Sequence, residues 1–248
     1  MKALSVTQPW ASVICSGLKD VENRLWQAAE APGKILIHAT KTKVPGNWEN
    51  KPDDMVSAVK NARLMGNLPE YADMPYGSII GYVDCYKIVK DSDSFWADPQ
   101  SFHWCLRDAY LFDTPIPDIK GVRGHLFDVP EVDESNLPPA HKVELRFPEV
   151  KGNDIFMPAS EEVIAAIDNN AEYISYDASD ALFELFINET GEPYEFDSIH
   201  FVGKNKTVTK KFDGVESAPY LGPEDKPVKV IGLEDQDVYW SYFVVYFK

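Results

Sequence analysis

The stretch over residues 78–89 constrains the fold more than any other part of the chain. It carries Ile79, Ile80, Tyr82, Val83, Tyr86, Ile88 and Val89, the β-branched and aromatic types that suit a pleated, half-buried surface. Shorter runs of the same kind surround it. Residues 3–6 read as a short strand, residues 35–39 as a second apolar strand that ends around His38, residues 102–106 as another, and residues 124–129 as a last one. Thr114-Pro-Ile-Pro-Asp118 reads as a loop. Short strands separated by turn signals predict a small barrel. Eighteen prolines and 12% aromatic residues also point away from a helical bundle.

Two helices interrupt this pattern. Thr7 or Gln8 can cap the first, with Pro9 in its first turn, where a missing N–H costs little. Trp10, Val13 and Ile14 then fall on one apolar face, and Gly17 supplies the terminating residue. The second lies around residues 54–64, inside a stretch over 41–75 rich in charge and proline, which reads as a long excursion from the barrel.

Charge divides the chain. Residues 1–130 hold 14 Lys and Arg against 16 Asp and Glu, whereas residues 131–248 hold 10 against 24. The second part therefore carries nearly all of the net −16. Two regions with different tasks are expected, and bulk duplex binding is not, because non-specific affinity comes from Lys and Arg neutralising phosphates. Solubility is the simplest role for the acidic part. Cys15, Cys85 and Cys105 are odd in number and far apart, without metal-ligand spacing, so reduced buried thiols are expected rather than disulfides or zinc. No cofactor is implied. Met1-Lys-Ala-Leu-Ser-Val6 has no long apolar segment behind it, and no run of about 18 apolar residues occurs. The expected location is cytoplasmic, with no membrane partner.

Beyond residue 130, the segment 131–142 is rich in Pro, Asp and Glu and reads as a linker. Ser160 caps a helix to about Ile167, and residues 180–187 read as another. Strands are expected at 198–202, 207–212, 228–233 and 238–247. Residues 143–248 thus read as a folded acidic α+β domain. Lys204-Asn-Lys-Thr-Val-Thr-Lys-Lys211 is its one basic patch, expected to meet the domain's own acidic surface.

The chemistry concentrates after the first helix, in Gly17-Leu-Lys-Asp-Val-Glu-Asn-Arg24. Lys19 and Arg24 offer donors to phosphates or base acceptors; Glu22 can accept from an amino group or act as a base. A surface ion pair between Glu22 and Arg24 explains the same residues with no function at all. Strand alternation places Trp26 on their side, making it a base-stacking candidate, while Trp10 reads as core. His38 is either a satisfied structural histidine or a proton carrier in a cleft. Lys120-Gly-Val-Arg-Gly124 is a small basic turn whose backbone can approach a phosphate. Glu131-Val-Asp-Glu134 lacks the ligand spacing of a metal loop.

Several ordered segments share one likeness. Leu4-Ser-Val-Thr-Gln-Pro-Trp-Ala-Ser12 with Gly17 to Arg24, Leu36-Ile-His-Ala-Thr-Lys41, Tyr76-Gly-Ser-Ile-Ile-Gly-Tyr-Val-Asp84, His103-Trp104 and Ile116-Pro-Asp-Ile-Lys-Gly-Val-Arg-Gly-His-Leu-Phe127 resemble the ASCH family over about 130 residues. The resemblance implies a PUA-like barrel with a polar cleft for RNA or nucleotides. One hydrolytic branch deacylates acetylcytidine with a Lys, a Thr and a Glu; here Glu22 stands where that Thr belongs, so the activity does not carry over.

The expected architecture is α+β and β-rich: a PUA-like barrel over residues 1–130, a linker, and an acidic domain. The expected function is binding of RNA, a short single strand or a nucleotide-like molecule through Gln8, Lys19, Glu22, Arg24, Trp26, Lys120 and Arg123. A hydrolase of modified nucleosides or RNA, with Lys19, Glu22 and His38 as catalytic candidates, is the first alternative. The second is an interaction module whose acidic domain docks on a basic protein.

Overall fold

The computed structural model describes residues 1–28, 31–50, 53–146, 149–152, 154–169, 171, 173–178, 198–211 and 241–246. The chain divides into two compact units: Met1–Lys51 with Pro69–Leu145, and Pro52–Leu68 with Arg146–Lys248.

The first unit is one curled sheet forming a half-barrel. Its strands are β1 (Lys2–Val6), β2 (Val21–Arg24), β3 (Gly33–Ala39), β4 (Ser78–Val89), β5 (Phe102–Ile116), β6 (Phe127–Asp128) and β7 (Ala140–His141). The order is β2-β5-β4-β3-β1-β6, with β7 on β5. β1 runs parallel to β3, setting Ser5 opposite His38; β3–β4 and β4–β5 are antiparallel. The long run seen in the sequence is thus β4, central in the sheet. The segment read as a linker contains β7, and Val132 within it is buried.

Two local expectations need correction. β5 continues past Leu106 to Ile116, through the Thr114-Pro segment expected to be a loop. Register shifts accompany the extension: Ile116 faces Ile79 while Leu111 faces Gly81, so the Thr114-Pro segment is accommodated as a bulge in β5, and a second shift between Tyr82 and Asp84 coincides with Asp108 at a φ of 47°, which Asp tolerates better than most side chains. The last strand shrinks from residues 124–129 to the two of β6, leaving residues 117–126 to loop over the sheet. The helix α1 (Trp10–Cys15) begins at an N-cap of Pro9 without a side-chain cap. Gln8, one residue earlier, supplies that function: its Oε1 accepts the Ser12 N–H at 3.1 Å. Gly17 follows the C-cap with a φ of 85°, as expected of a terminating glycine.

One core cluster lies between α1 and the sheet, and a second gathers Ala3, Leu36, Ile79, Phe112, Val129 and Val132. Leu4, Ile14, Ile35, Ile37, Ile80, Val83 and Trp104 are almost wholly excluded from solvent. α1 approaches β4 closely because position 81 has no side chain. A Cβ there would lie 2.1 Å from Tyr110 O and 3.0 Å from Cys15 Sγ.

The second unit holds α2 (Asp54–Leu64), β8 (Glu149–Lys151), β9 (Asp154–Pro158), α3 (Glu161–Asp168), β10 (Tyr173–Ala178), β11 (Ser198–Val202), β12 (Thr207–Lys211) and β13 (Ser241–Tyr246). Its strands form a four-stranded sheet, β12-β11-β9-β8, and a pair, β10–β13. β9 and β11 are parallel with α3 between them in sequence. Ser160 caps α3 as anticipated, accepting the Val163 N–H at 3.3 Å. α2 joins this unit: Leu64 O accepts the Ser160 N–H at 2.8 Å, and Arg63 pairs with Glu162. In the basic patch, Lys206 pairs with Asp168. The expected elements at 180–187 and 228–233 lie outside the described residues, and only residues 241–246 of the closing run are described. The whole is α+β and strand-rich. No described helix is long and apolar enough to cross a membrane.

Two outcomes follow. Gly81→Ala overpacks the α1–β4 contact and should lower stability by about 2–3 kcal/mol, read as a shift of the urea midpoint. Cys15, Cys85 and Cys105 are free and buried; burial raises all three thiols, that of Cys85 to about 12. They should resist a thiol reagent at pH 8 until denaturant is added, since the thiolate is the reactive form.

Candidate functional site

β2 is short, and its two inward residues are charged. Glu22 and Arg24, two apart, share a face, and Lys19 reaches the same place from the turn after α1. Lys19 is 4% exposed and Glu22 8%. Lys19 Nζ lies 3.2 Å from Glu22 Oε2, and Glu22 Oε1 lies 2.9 Å from Arg24 Nη2. The result is a row of cation, anion, cation in which Lys19 and Glu22 are buried and Arg24 is partly exposed at the cavity. Lys19 also donates to Val21 O, and Arg24 Nη2 to Ser5 O at 2.8 Å. Burial pulls the Lys19 ammonium below its ordinary range; the Glu22 carboxylate opposes that pull.

A second arrangement stands beside it. Ser5 Oγ lies 3.1 Å from His38 Nδ1, and His38 Nε2 lies 3.1 Å from Ile119 O. A carbonyl only accepts, so Nε2 carries the hydrogen and the neutral ring receives the Ser5 hydroxyl at Nδ1. Burial, and secondarily the charge of Lys41, lowers the His38 pKa, keeping the ring neutral. Gly121 packs directly on this pair: a Cβ there would fall 2.2 Å from His38 Cε1 and 2.6 Å from Ser5 Oγ. The loop after β5 is thereby held close over β1 and β3.

Between the row, the pair and the loop is a cavity of about 800 Å³. Glu22, Arg24, Ser5 and His38 form its inner wall. Lys41, Lys120 and Arg123, all exposed, stand at its margin with Asp118. Two inner groups lack partners: Arg24 Nε and Thr40 Oγ1 are buried without a hydrogen-bond partner among the described residues. No group of three or more His, Cys, Asp or Glu among the described residues is placed to hold a metal ion.

The residues singled out from sequence are distributed unevenly. Glu22, Arg24, His38, Lys120 and Arg123 line the cavity. Lys19 stands behind Glu22, its ammonium engaged by Val21 O and Glu22. Gln8 stands apart; its amide is consumed by the Ser12 N–H and Pro75 O. Trp26 follows the end of β2, outside the strand alternation, and packs edge-on against Trp104 at 4.7 Å. Trp10, read as core, is half-buried on the cavity wall, packed on Trp48 and Trp96. Ser5 and Thr40 were passed over because nothing local marks them; both sit on or beside strands whose parallel pairing joins distant segments.

In comparison with known families, residues 4–104 match the model of the ASCH domain, over the same segments that carry the resemblance in the sequence. No curated protein matches the chain.

Removing Glu22 leaves two cations facing each other. Glu22→Ala should cost about 3–5 kcal/mol, read in urea unfolding, and Lys19→Met/Glu22→Leu should recover the part due to Lys19, the more deeply buried cation, while Arg24 still lacks its carboxylate. His38 generates a pH effect. Its folded pKa lies below the ordinary 6.5, so the unfolded chain binds the proton more readily. Stability should therefore fall as pH drops through and below about 6.5. Melting temperatures between pH 7.5 and 5 should show this fall, and His38→Gln should flatten that portion.

Proposed function

We propose that the ASCH domain carried by this chain binds a nucleotide or a short single strand of RNA in the cavity walled by Glu22, Arg24, Ser5 and His38. The observation that carries this reading is a cavity whose inner wall holds Glu22, Arg24, Ser5 and His38 while Lys41, Lys120 and Arg123 stand at its margin. The surroundings suit the same ligand. Lys41, Lys120 and Arg123 bring positive charge to the rim of a chain with net charge −16, while Glu22 can accept from an exocyclic amino group. Trp10 offers an aromatic edge on the wall. The cavity volume fits within the range of about 300–1,000 Å³ found for small-ligand sites. The ASCH family is often linked to RNA binding.

The charge distribution favours small ligands over long ones. Long RNA would meet the repulsion of the acidic second half, and only a few cations stand at the rim to offset it.

Titration of the full chain with a 5′-mononucleotide and with a four-residue single strand tests the reading. The melting temperature should rise with ligand concentration, and a duplex of equal length should bind more weakly. Lys120→Ala and Arg123→Ala should each weaken binding of the single strand. Each should also reduce the slope of log affinity against log salt by about 0.7. Absence of any shift, or a shift unchanged in the Lys120→Ala/Arg123→Ala chain, overturns the proposal.

A further inference from the structure

We propose that Ser5 and His38 form a nucleophile–base pair that cleaves acyl esters in this cavity, with esters on the ribose hydroxyl of a nucleotide as the substrate class. The choice of nucleotide esters rests on the binding reading above; the pair itself does not.

The geometry is that of an activated hydroxyl. Ser5 and His38 face each other in register on the parallel strands β1 and β3, so both are held by sheet rather than loop. The 3.1 Å separation of Ser5 Oγ and His38 Nδ1 lies within the reach required of a nucleophile and its base. A third group orients the base: Ile119 O receives the Nε2 hydrogen, which leaves the Nδ1 lone pair directed at the hydroxyl. This is the role a carboxylate plays in a serine hydrolase triad, taken here by a backbone carbonyl, with the two ring nitrogens exchanged. Both side chains line the cavity. Arg24 donates from Nη2 to the carbonyl oxygen of Ser5 itself and lines the same cavity, which brings one cation to the strand position that carries the nucleophile. Lys19 and Glu22 are committed to each other, which leaves His38 as the base.

The chemistry balances without a further reagent. Ser5 Oγ bonds to the acyl carbon as its proton passes to His38 Nδ1. The bond from that carbon to the ribose oxygen breaks, and the departing alkoxide takes the proton from Nδ1. Water then attacks the acyl-serine, giving one proton to Nδ1. The bond to Oγ breaks, Oγ recovers that proton, and the carboxylic acid leaves.

The full chain should react with a fluorophosphonate, losing fluoride and gaining one adduct by intact mass, with the labelled peptide containing Ser5. It should hydrolyse p-nitrophenyl acetate. Ser5→Ala should abolish labelling and reduce hydrolysis by roughly 100-fold or more, and His38→Gln should do the same within the range of about 10²–10⁴ typical of a general base. Ser5→Cys gives an independent measurement: iodoacetamide should modify Cys at position 5 rapidly, the imidazole drawing off its proton, while Cys15, Cys85 and Cys105 stay protected. An unlabelled parent chain, or labelling that survives Ser5→Ala, overturns the dyad whether or not nucleotides bind. Ser5-dependent hydrolysis of p-nitrophenyl acetate with no preference for 3′-O-acetyl adenosine 5′-monophosphate supports the dyad and overturns the nucleotide-ester substrate class.

Discussion

Burying the Lys19–Glu22–Arg24 row is the constraint around which the first unit is organised. Charges removed from water are costly unless each finds a partner, and one carboxylate between two cations leaves a surplus of positive charge. The protein spends part of it inward, where Lys19 meets Val21 O and Glu22. The rest faces the cavity through Arg24. A chain that is strongly acidic as a whole thus keeps a locally positive interior wall.

The second device is a connection across the sheet. His38 ties β1, through Ser5, to the loop after β5, through Ile119 O. Gly121 allows that loop to lie against the imidazole ring. Lys120 and Arg123 flank the same glycine, so the element that closes the cavity also carries its marginal charge. A larger residue at 121 would lift both cations away from the pocket.

Local pattern revealed much of this and geometry the rest. β4, β11, α2 and α3 were readable because apolar spacing and capping residues are properties of the segments themselves. Lys19, Glu22 and Arg24 were readable as charged residues on a short strand beside a helix end. The extension of β5 was not, because an irregularity between Leu111 and Ile116 takes up a Thr-Pro segment that by composition resembles a loop. The surroundings of Gln8, Trp10 and Trp26 were not legible for a related reason. Each depends on where a neighbouring element ends: Gln8 caps because α1 starts at Trp10, and Trp26 leaves the charged face because β2 stops at Arg24. The Ser5–His38 contact spans 33 residues and exists only once β1 and β3 pair in parallel.

The path of the backbone between the two units bears on how the molecule is made. Synthesis delivers Pro52–Leu68 long before Arg146–Lys248, yet these belong to one unit. Leu64 O waits for the Ser160 N–H, and Arg63 for Glu162. On the ribosome, α2 must remain without its partners while the half-barrel gathers β4 and β5 from residues that follow it. The two units are consequently not modules that a single cut can separate. A chain stopped after Leu145 would retain a helix whose complement was never translated, and a chain begun at Arg146 would lack that helix altogether.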